Sequence, residues 1–332
     1  MKALLIGGTG TISTSVSHRL TELGWDVYLL NRGRRIEHVP AAAHVLQCDI
    51  NDEACVESQI KQHWFDTVVN FIAYKPEDIE RDIRLFKDRC GQYIFISSAS
   101  AYQKPLSHYV ITESTPLANS YWQYSRDKIA CEDMLMKAYR SQSFPVTIVR
   151  PSHTYGYWLV PIAIHGSKGS WQDVLRIRQG KPVIVHGDGT SLWTMTHADD
   201  FAIGFTGLMG NIHAMGEAVH ITSDESLTWN QIYSCIGQAM GVKPKIIHIT
   251  SRHLADVRPE LAGTLLGDKS HSVVFDNSKI KRLVPGYSAE IRFDQGVKRT
   301  IQYILNHPEL QKTDPEWDAW VDDMTRRDKV PL

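Results

Sequence analysis

Two side chains in the segment YSRDK have the types and the spacing needed for proton transfer. Tyr124 is the only one of the thirteen tyrosines that is followed by a lysine, Lys128, four residues later. On a helix, residues four apart lie on the same face. A free phenol titrates at about pH 10, and a neighbouring ammonium favours the phenolate and so lowers that pKa. The pair is a candidate acid/base couple, unless its spacing is a coincidence on an exposed helix.

A glycine-rich turn near the start of the chain could bind a phosphate group. The apolar run Lys2–Ile6 is followed by GGTG at 7–10 and at once by a helical pattern near 11–23. Free N–H groups and the helix dipole favour an anion at such a bend, and small residues let a pyrophosphate approach the backbone. An ordinary tight turn is the alternative, but the next strand follows within one βαβ unit, which favours a dinucleotide. The residues assigned to this cradle are Gly7, Gly10, Thr11 and Ile12.

The end of the second predicted strand bears on the choice of dinucleotide. It reads Asn31-Arg32-Gly33-Arg34-Arg35 and contains no acidic residue. An acid here would bind the ribose 2′-hydroxyl and select NAD. Arg32, with Arg34 or Arg35, could instead pair with a 2′-phosphate. Asn31 and Arg32 are therefore assigned to the cofactor site, and NADP is the predicted cofactor, with NAD as the alternative if the arginines form only a solvated loop.

The glycine turn resembles that of the short-chain dehydrogenases/reductases, especially their extended branch, the NAD-dependent epimerase/dehydratase family. The order Gly7-x-x-Gly10-x-x-Ser13 is similar to the family's TGxxGxxG turn, with Ile6 in place of Thr and Ser13 in place of the third glycine. Serine is small enough to keep the helix close to the strand. The resemblance covers roughly residues 1–306 and implies a Rossmann-type fold.

The resemblance also implies further cofactor contacts along the chain. Asp49 and Ile50, just after the third predicted strand, look like the family's adenine contact. Ala73 resembles part of the turn that flanks the cofactor after the fourth strand. Lys128 is expected to bind the nicotinamide ribose in addition to acting on Tyr124.

A third catalytic residue is expected at the end of the fifth strand, where the sequence is ISSASAY. Aligning Tyr102 with the family's Ser-x-x-x-Tyr pattern selects Ser98 as the hydroxyl that orients the substrate. Ser100 is a second hydroxyl predicted to face the substrate. Ser97 is the alternative to Ser98, since serines at strand ends often only cap a loop.

Two later segments resemble the substrate lobe of nucleotide-sugar enzymes. The segment 149–156, RPSHTYG after Val149, is similar to R-P-x-N-x-Y-G, with His153 replacing Asn. The segment GDGT at 187–190 usually has an Arg three residues later, which neutralises a substrate diphosphate, and this chain has Trp193 there. An indole can stack on a sugar but cannot neutralise a diphosphate. His153 and Trp193 are assigned to substrate binding, with a merely hydrogen-bonded histidine and simple packing as the alternatives.

The residues after Ser98 bear on the type of reaction. Nucleotide-sugar 4,6-dehydratases have Asp-Glu there, whereas this chain has Ala99 and Ser100. The resemblance therefore favours reversible hydride transfer at a hydroxyl or ketone, as an epimerase of a sugar or nucleotide sugar. The alternative is an NADPH-dependent reductase or dehydrogenase of a non-nucleotide metabolite.

The elements that must position these residues alternate between strand and helix. The predicted strands of the first half are Lys2–Ile6, Val27–Leu30, His44–Leu46, Thr67–Asn70, Tyr93–Ile96 and Val146–Val149. This alternation predicts an α/β fold with a doubly wound parallel sheet. We expect a Rossmann domain at 1–155, with elements near 182–221 returning to it, and a smaller mixed α/β substrate lobe over most of 156–332.

The composition is that of an ordinary globular protein. With 36 basic and 37 acidic residues the formal net charge is −1, so the overall charge does not favour binding to nucleic acid or to an anionic membrane. Five cysteines without a CxxC motif favour buried thiols in a cytoplasmic protein, and no metal site is expected. The resemblance suggests a homodimer through helices near 76–88 and 120–140. A non-catalytic, cofactor-binding regulatory or RNA-associated protein is the alternative of another class.

Overall fold

The computed structural model describes residues 1–327. Within this range, fifteen strands and twelve α-helices are joined by five 3-10 turns and one π-helical turn, Leu265–Lys269. The strands are β1 Lys2–Ile6, β2 Asp26–Asn31, β3 His44–Gln47, β4 Thr67–Asn70, β5 Tyr93–Ile96, β6 Val110–Ile111, β7 Val146–Pro151, β8 His153–Tyr155, β9 Pro182–His186, β10 Leu192–Trp193, β11 Met195–His197, β12 Ala218–Ile221, β13 Leu227–Thr228, β14 Lys245–Ile249 and β15 Val274–Phe275. The helices are α1 Thr11–Glu22, α2 Glu53–Ile60, α3 Pro76–Phe86, α4 Gln123–Gln142, α5 Trp171–Arg178, α6 Ala198–Leu208, α7 Trp229–Ala239, α8 Ser251–Val257, α9 Ala262–Thr264, α10 Ser278–Leu283, α11 Phe293–Asn306 and α12 Pro315–Arg327.

Seven strands form one parallel sheet in the order β12-β7-β5-β4-β1-β2-β3. β1 lies inside the sheet between β2 and β4, which is where the chain reverses the direction in which it adds strands. All carboxyl ends of a parallel sheet meet at one edge, and ligands of open α/β sheets bind there, at the reversal point. The prediction of a doubly wound Rossmann-type sheet is confirmed.

Helices cover both faces of this sheet, as its nearly continuous apolar strands require. On one face α1 and α6 pack together, with Val16 and Phe205 fully buried. On the other face α2, α3 and α4 bury residues such as Ile79 and Leu135. Each such side chain contributes about 1.5–3 kcal/mol to folding, so the sheet edge that carries the site is firmly supported.

The second half of the chain forms a smaller cluster around α5, α7 and α11. Of the elements near 182–221, β12 lies in the main sheet and α6 packs against α1, whereas β9 pairs with β14 in a separate two-stranded sheet. The turn Leu265–Lys269 follows α9 and leads into β15, which pairs with β6. This second cluster therefore overlies the carboxyl edge of the sheet through residues that are far apart in the chain.

The prediction of thiols throughout is wrong for two cysteines. Cys48 and Cys55 form a disulfide, whereas Cys90 and Cys131 are buried thiols and Cys235 is a partly buried one. The short connection between β3 and α2 folds back on itself and brings the two Cα atoms to 6.4 Å, within the usual range for a disulfide.

Residues 1–327 contain neither a membrane-spanning helix nor a cluster of metal ligands. No helix in this range has the length and apolar character to cross a bilayer. No group of three or more His, Cys, Asp or Glu side chains there has an arrangement that could hold a metal ion.

Candidate active site

The glycine turn has the backbone that its sequence predicts. Gly7 lies between β1 and α1 with φ of +78°, a conformation that favours glycine. A Cβ at this position would lie 2.5 Å from Cγ2 of Ile72. The first turn of α1 contains no acidic residue, so its N-terminal N–H groups face no negative side chain there. The turn is therefore open to an anion that approaches the backbone.

Ser13 does more in this turn than replace a glycine. Its hydroxyl accepts a hydrogen bond from the Gly10 amide at 2.8 Å and donates one to the Gly7 carbonyl at 2.8 Å. Ser13 is almost fully buried, at 1% exposure. The hydroxyl thus ties the two ends of the turn together, a role that the spacing alone did not reveal.

A cleft of about 490 Å³ runs from this turn along the carboxyl edge of the sheet. It brings together most of the residues predicted for the cofactor: Gly7, Gly10, Asn31, Arg32, Asp49 and Ile50. Thr11 instead lines a neighbouring cleft on the outer side of α1, and Ile12 packs against the core beneath α1. Ala73 is fully buried and contributes its carbonyl oxygen.

Arginines dominate the far end of the cleft. Arg32 pairs loosely with Asp49 at 3.7 Å, and its side chain is 59% exposed. Arg35 donates to the Thr9 carbonyl at 3.3 Å, and Arg34 also lines the cleft. The cleft thus combines a glycine turn, a helix N-terminus and exposed guanidinium groups, which fits a nicotinamide dinucleotide with its pyrophosphate at the turn and its adenosine beside Arg32.

Lys128 connects this cleft to a second cavity. Its buried ammonium donates to the carbonyls of Ala73 and Ile96, both at 2.7 Å, and lies 5.7 Å from the centre of the Tyr124 ring. Tyr74 lines the cofactor cleft, Tyr124 lines the smaller cavity, and their ring centres are 6.4 Å apart. Tyr74 and Tyr124 therefore bring the two cavities close to one another, and the Lys128 ammonium lies beside both rings.

The pKa values of the pair are shifted mainly by burial. Burial raises the pKa of Tyr124 to about 12, and hydrogen bonding with Ser98 opposes that rise. Burial lowers the pKa of Lys128 to about 8. The pKa of Tyr124 is therefore raised and not lowered, contrary to the sequence prediction, because burial outweighs the other influences on the phenol.

Hydroxyl groups form a chain beside Tyr124. Ser125 donates to Ser100 at 2.8 Å, and the hydroxyls of Ser100 and Ser98 are 2.9 Å apart. Ser97 differs, since its hydroxyl donates to the carboxylate of Glu132, which also binds the guanidinium of Arg150. The structure thus places Ser98 beside Tyr124 and Ser97 in a buried ion pair.

A cavity of about 250 Å³ brings the predicted substrate residues together with the catalytic candidates. Its lining includes Ser98, Ser100, Tyr124, His153 and Trp193. The Trp193 indole donates to Nδ1 of His153 at 3.1 Å. Burial, with a smaller effect from Lys269, lowers the pKa of His153 to about 3, so the ring is neutral and carries its hydrogen on Nε2. His153 is thus hydrogen-bonded to Trp193, and substrate binding through its other nitrogen stays a prediction.

Two charged residues of this cavity are absent from the sequence prediction. Asp268 and Lys269 reach it from the π-helical turn Leu265–Lys269. Burial raises the pKa of Asp268 and lowers that of Lys269 to about 8. Single-turn π-helices often occur at functional sites, but the sequence carries no signal that separates them from a loop.

The fold and the site are those of a Rossmann-type enzyme. The sequence model of the NAD dependent epimerase/dehydratase family matches residues 3–221, and the chain belongs to this family. A UDP-glucose 4-epimerase from Bifidobacterium longum, solved with NAD⁺ and UDP, has the same fold, with a TM-score of 0.72 and 19% identity over 93% of this chain and 99% of that one.

Two curated relatives differ in what their names say they do. The 2′-dehydrokanamycin reductase of Streptomyces kanamyceticus is 23% identical over 287 residues, which cover 86% of this chain and 80% of that protein. The chloroplast stem-loop binding protein of 41 kDa b of Arabidopsis thaliana is 25% identical over 263 residues, which cover 74% of this chain and 65% of that protein. The family is one of NAD-dependent enzymes, and the cofactor preference and substrate of this chain have to be argued from its site.

Proposed function

We propose that the protein is an NAD(P)-dependent oxidoreductase that transfers a hydride at a hydroxyl or ketone of a sugar, with Ser98, Tyr124 and Lys128 as its catalytic residues. The observation that carries the proposal is that Tyr124, in the lining of the smaller cavity, lies close both to Tyr74 of the dinucleotide cleft and to the buried Lys128 ammonium. A bound nicotinamide dinucleotide supplies or accepts the hydride. The remaining chemistry, which is binding, orientation and proton transfer, falls to the residues of the chain.

Each of the three residues has a separate task in this proposal. In the oxidising direction the Tyr124 phenolate accepts the proton of the substrate hydroxyl, and in the reducing direction the phenol returns a proton to the ketone oxygen. The hydroxyl of Ser98 orients that oxygen. The Lys128 ammonium, fixed by the carbonyls of Ala73 and Ile96, favours the phenolate.

The Tyr124→Phe variant tests this assignment. It keeps the ring and removes the proton carrier, so turnover of a sugar substrate should fall about 10²–10⁴-fold. Titration with NADH and NADPH should show unchanged cofactor binding, which separates loss of catalysis from loss of fold. Turnover at the wild-type rate would contradict the proposed role of Tyr124.

We propose NADP as the preferred cofactor, with NAD as the alternative. Support comes from Asn31 at the end of β2, where an acid would select NAD, and from the exposed guanidinium of Arg32 in the cleft. Arg32→Ala should weaken NADPH binding by at least about tenfold, because a charge-assisted pair is lost, and leave NADH binding almost unchanged. No effect on either cofactor would favour the solvated-loop alternative, and equal losses would mean that Arg32 contacts a part that both cofactors share.

The relatives support two substrate classes. Several are named as enzymes of UDP-linked sugars, such as the UDP-glucose 4-epimerase of Azospirillum brasilense, and one is named as a reductase of an antibiotic. Net epimerisation of a nucleotide sugar and net reduction of a non-nucleotide ketone both use the proposed site. Dehydration is disfavoured, because Ala99 and Ser100 provide no acid/base pair next to Ser98.

A non-catalytic RNA-associated protein is the second candidate function, and the stem-loop binding relative favours it. Tyr124→Phe also distinguishes these classes, since RNA binding should not depend on a phenol inside the cavity. A homodimer through α3 and α4 and a cytoplasmic location stay predictions, the first testable by sedimentation of the full chain.

A further inference from the structure

The wall of the substrate cavity contains a carboxylate that lacks a hydrogen-bond donor within the described residues. Asp268 is 17% exposed at its side chain and lines the cavity beside Tyr124. Its paired cation, Lys104, lies 3.8 Å away, beyond hydrogen-bond distance. An ionised carboxylate can accept about four hydrogen bonds, so the acceptor capacity of Asp268 is open to whatever enters the cavity.

Two lysines accompany this carboxylate. Lys104 has no exposed side-chain surface, and its ammonium makes no hydrogen bond to any described residue. Lys269 donates one hydrogen bond, to the Ala163 carbonyl at 2.6 Å. Since an ammonium carries three N–H groups, two donors of Lys269 remain at the cavity wall. The cluster of Asp268, Lys104 and Lys269 thus contains hydrogen-bond acceptors and donors that have no hydrogen-bond partner within the cluster.

The π-helical turn Leu265–Lys269, which carries Asp268 and Lys269, packs tightly against its neighbours beside the cavity. The side-chain amide of Asn119 donates to the carbonyls of Gly267, at 2.7 Å, and Ser100, at 2.9 Å. These two hydrogen bonds connect the turn to the loop after β5 that contains Ser98 and Ser100. A Cβ on Gly267 would lie 3.0 Å from Cβ of Trp122, so the turn packs closely on this residue, which lines the cavity. The cavity is partly open, and its volume of about 250 Å³ is below the range of about 300–1,000 Å³ that is typical of ligand pockets.

Among residues 1–327, the cavity lining lacks the arginine that would neutralise a diphosphate. Trp193 stands where the resemblance implies an Arg, is 3% exposed and is held by its hydrogen bond to His153. The described lining contains no arginine, and Lys269 is its single cationic side chain. A cavity of this size and charge matches one polyhydroxylated ring and does not match a ring attached to a nucleoside diphosphate.

We propose that Asp268 and Lys269 bind the ring hydroxyls next to the reacting carbon, and that the substrate is a sugar or glycoside without a nucleoside diphosphate. This inference rests on the proposed function, because it assigns a substrate class and two specificity-determining residues to the same site. Asp268 accepts hydrogen bonds from one or two hydroxyls, and Lys269 donates to a neighbouring oxygen.

A paired-substrate assay tests the substrate class. The full-length protein with NADPH or NADH is given a keto-sugar as its simple glycoside, and the same keto-sugar linked to UDP. We expect kcat/KM for the glycoside to exceed that for the UDP-linked compound by at least about tenfold, since binding the latter leaves a diphosphate uncompensated. Preference for the UDP-linked member would overturn this inference and leave the proposed function intact. Turnover of neither member would overturn both.

A substrate–variant cycle tests the role of Asp268. Asp268→Asn should lower kcat/KM for the glycoside by about 10–100-fold, the effect of losing a hydrogen bond to a charged group. With the analogue that lacks the adjacent hydroxyl, the same variant should lose almost nothing further. Asp256→Asn, an exposed acid on α8 in the same lobe, is the matched control and should behave as wild type. Equal losses on both substrates would mean that Asp268 acts through Tyr124 or the fold, and would overturn the assignment.

Discussion

The buried ammonium of Lys128 should make the free energy of unfolding depend on pH. Its side chain is 2% exposed, and burial lowers its pKa from 10.5 to about 8. A buried ammonium therefore destabilises the folded protein below pH 8, and this cost is relieved as the pH rises toward 10.5, where the unfolded chain also loses the proton. From the two pKa values, the contribution of Lys128 to the free energy of unfolding rises by about 1 kcal/mol from pH 7 to pH 9, and by about 2–3 kcal/mol from pH 7 to pH 10.

Urea unfolding of the wild type and of Lys128→Met, at pH 7, 8, 9 and 10, measures this contribution. Methionine has a similar length and does not titrate, so the difference between the two proteins should follow the calculated curve and favour the wild type increasingly as pH rises. Lys137→Met, at an exposed position of the same helix, controls for the change in net charge. A difference that stays flat across this range would mean that the Lys128 ammonium is solvated, and would refute the reasoning about its effect on Tyr124.

Two further predictions concern the cofactor turn and the substrate cavity. Gly7→Ala should abolish dinucleotide binding in a fluorescence titration, since the added Cβ would lie 2.5 Å from Cγ2 of Ile72. Gly24→Ala is the control, because Gly24 has a similar φ of +75° but no atom within 4 Å of the added Cβ, and this variant should bind the dinucleotide normally. Trp193→Phe should lower kcat/KM for the sugar about fivefold, the effect of one lost hydrogen bond to His153, and leave cofactor affinity unchanged. An unchanged kcat/KM in this variant would mean that the His153 tautomer does not matter for turnover.

The main sheet and the glycine turn could be predicted because their signals are local. The six strands predicted in the first half all form, since alternation of apolar strands with helical patterns specifies a parallel sheet without reference to distant residues. The same holds for Tyr124 and Lys128, whose separation of four residues places both on one face of α4.

The rest of the site depends on contacts between distant parts of the chain. Asp268 and Lys269 reach the cavity because the turn that carries them packs on Trp122, which lies about 145 residues earlier in the sequence. Helix α5, which the sequence analysis does not predict, has eight residues, too few for a clear helical period. Neither feature has a local pattern that propensity could detect.

The order of strands in the sheet has a consequence for how the chain folds during synthesis. β7 is buried along its whole length, yet its outer neighbour β12 begins only about 70 residues after β7 ends. At about 5–20 residues per second, the ribosome needs roughly 4–14 s to supply that partner. During this interval β7 presents an apolar, unpaired edge of the kind that promotes association between nascent chains. The nascent chain should therefore depend on chaperone protection until residue 221 has emerged from the ribosome.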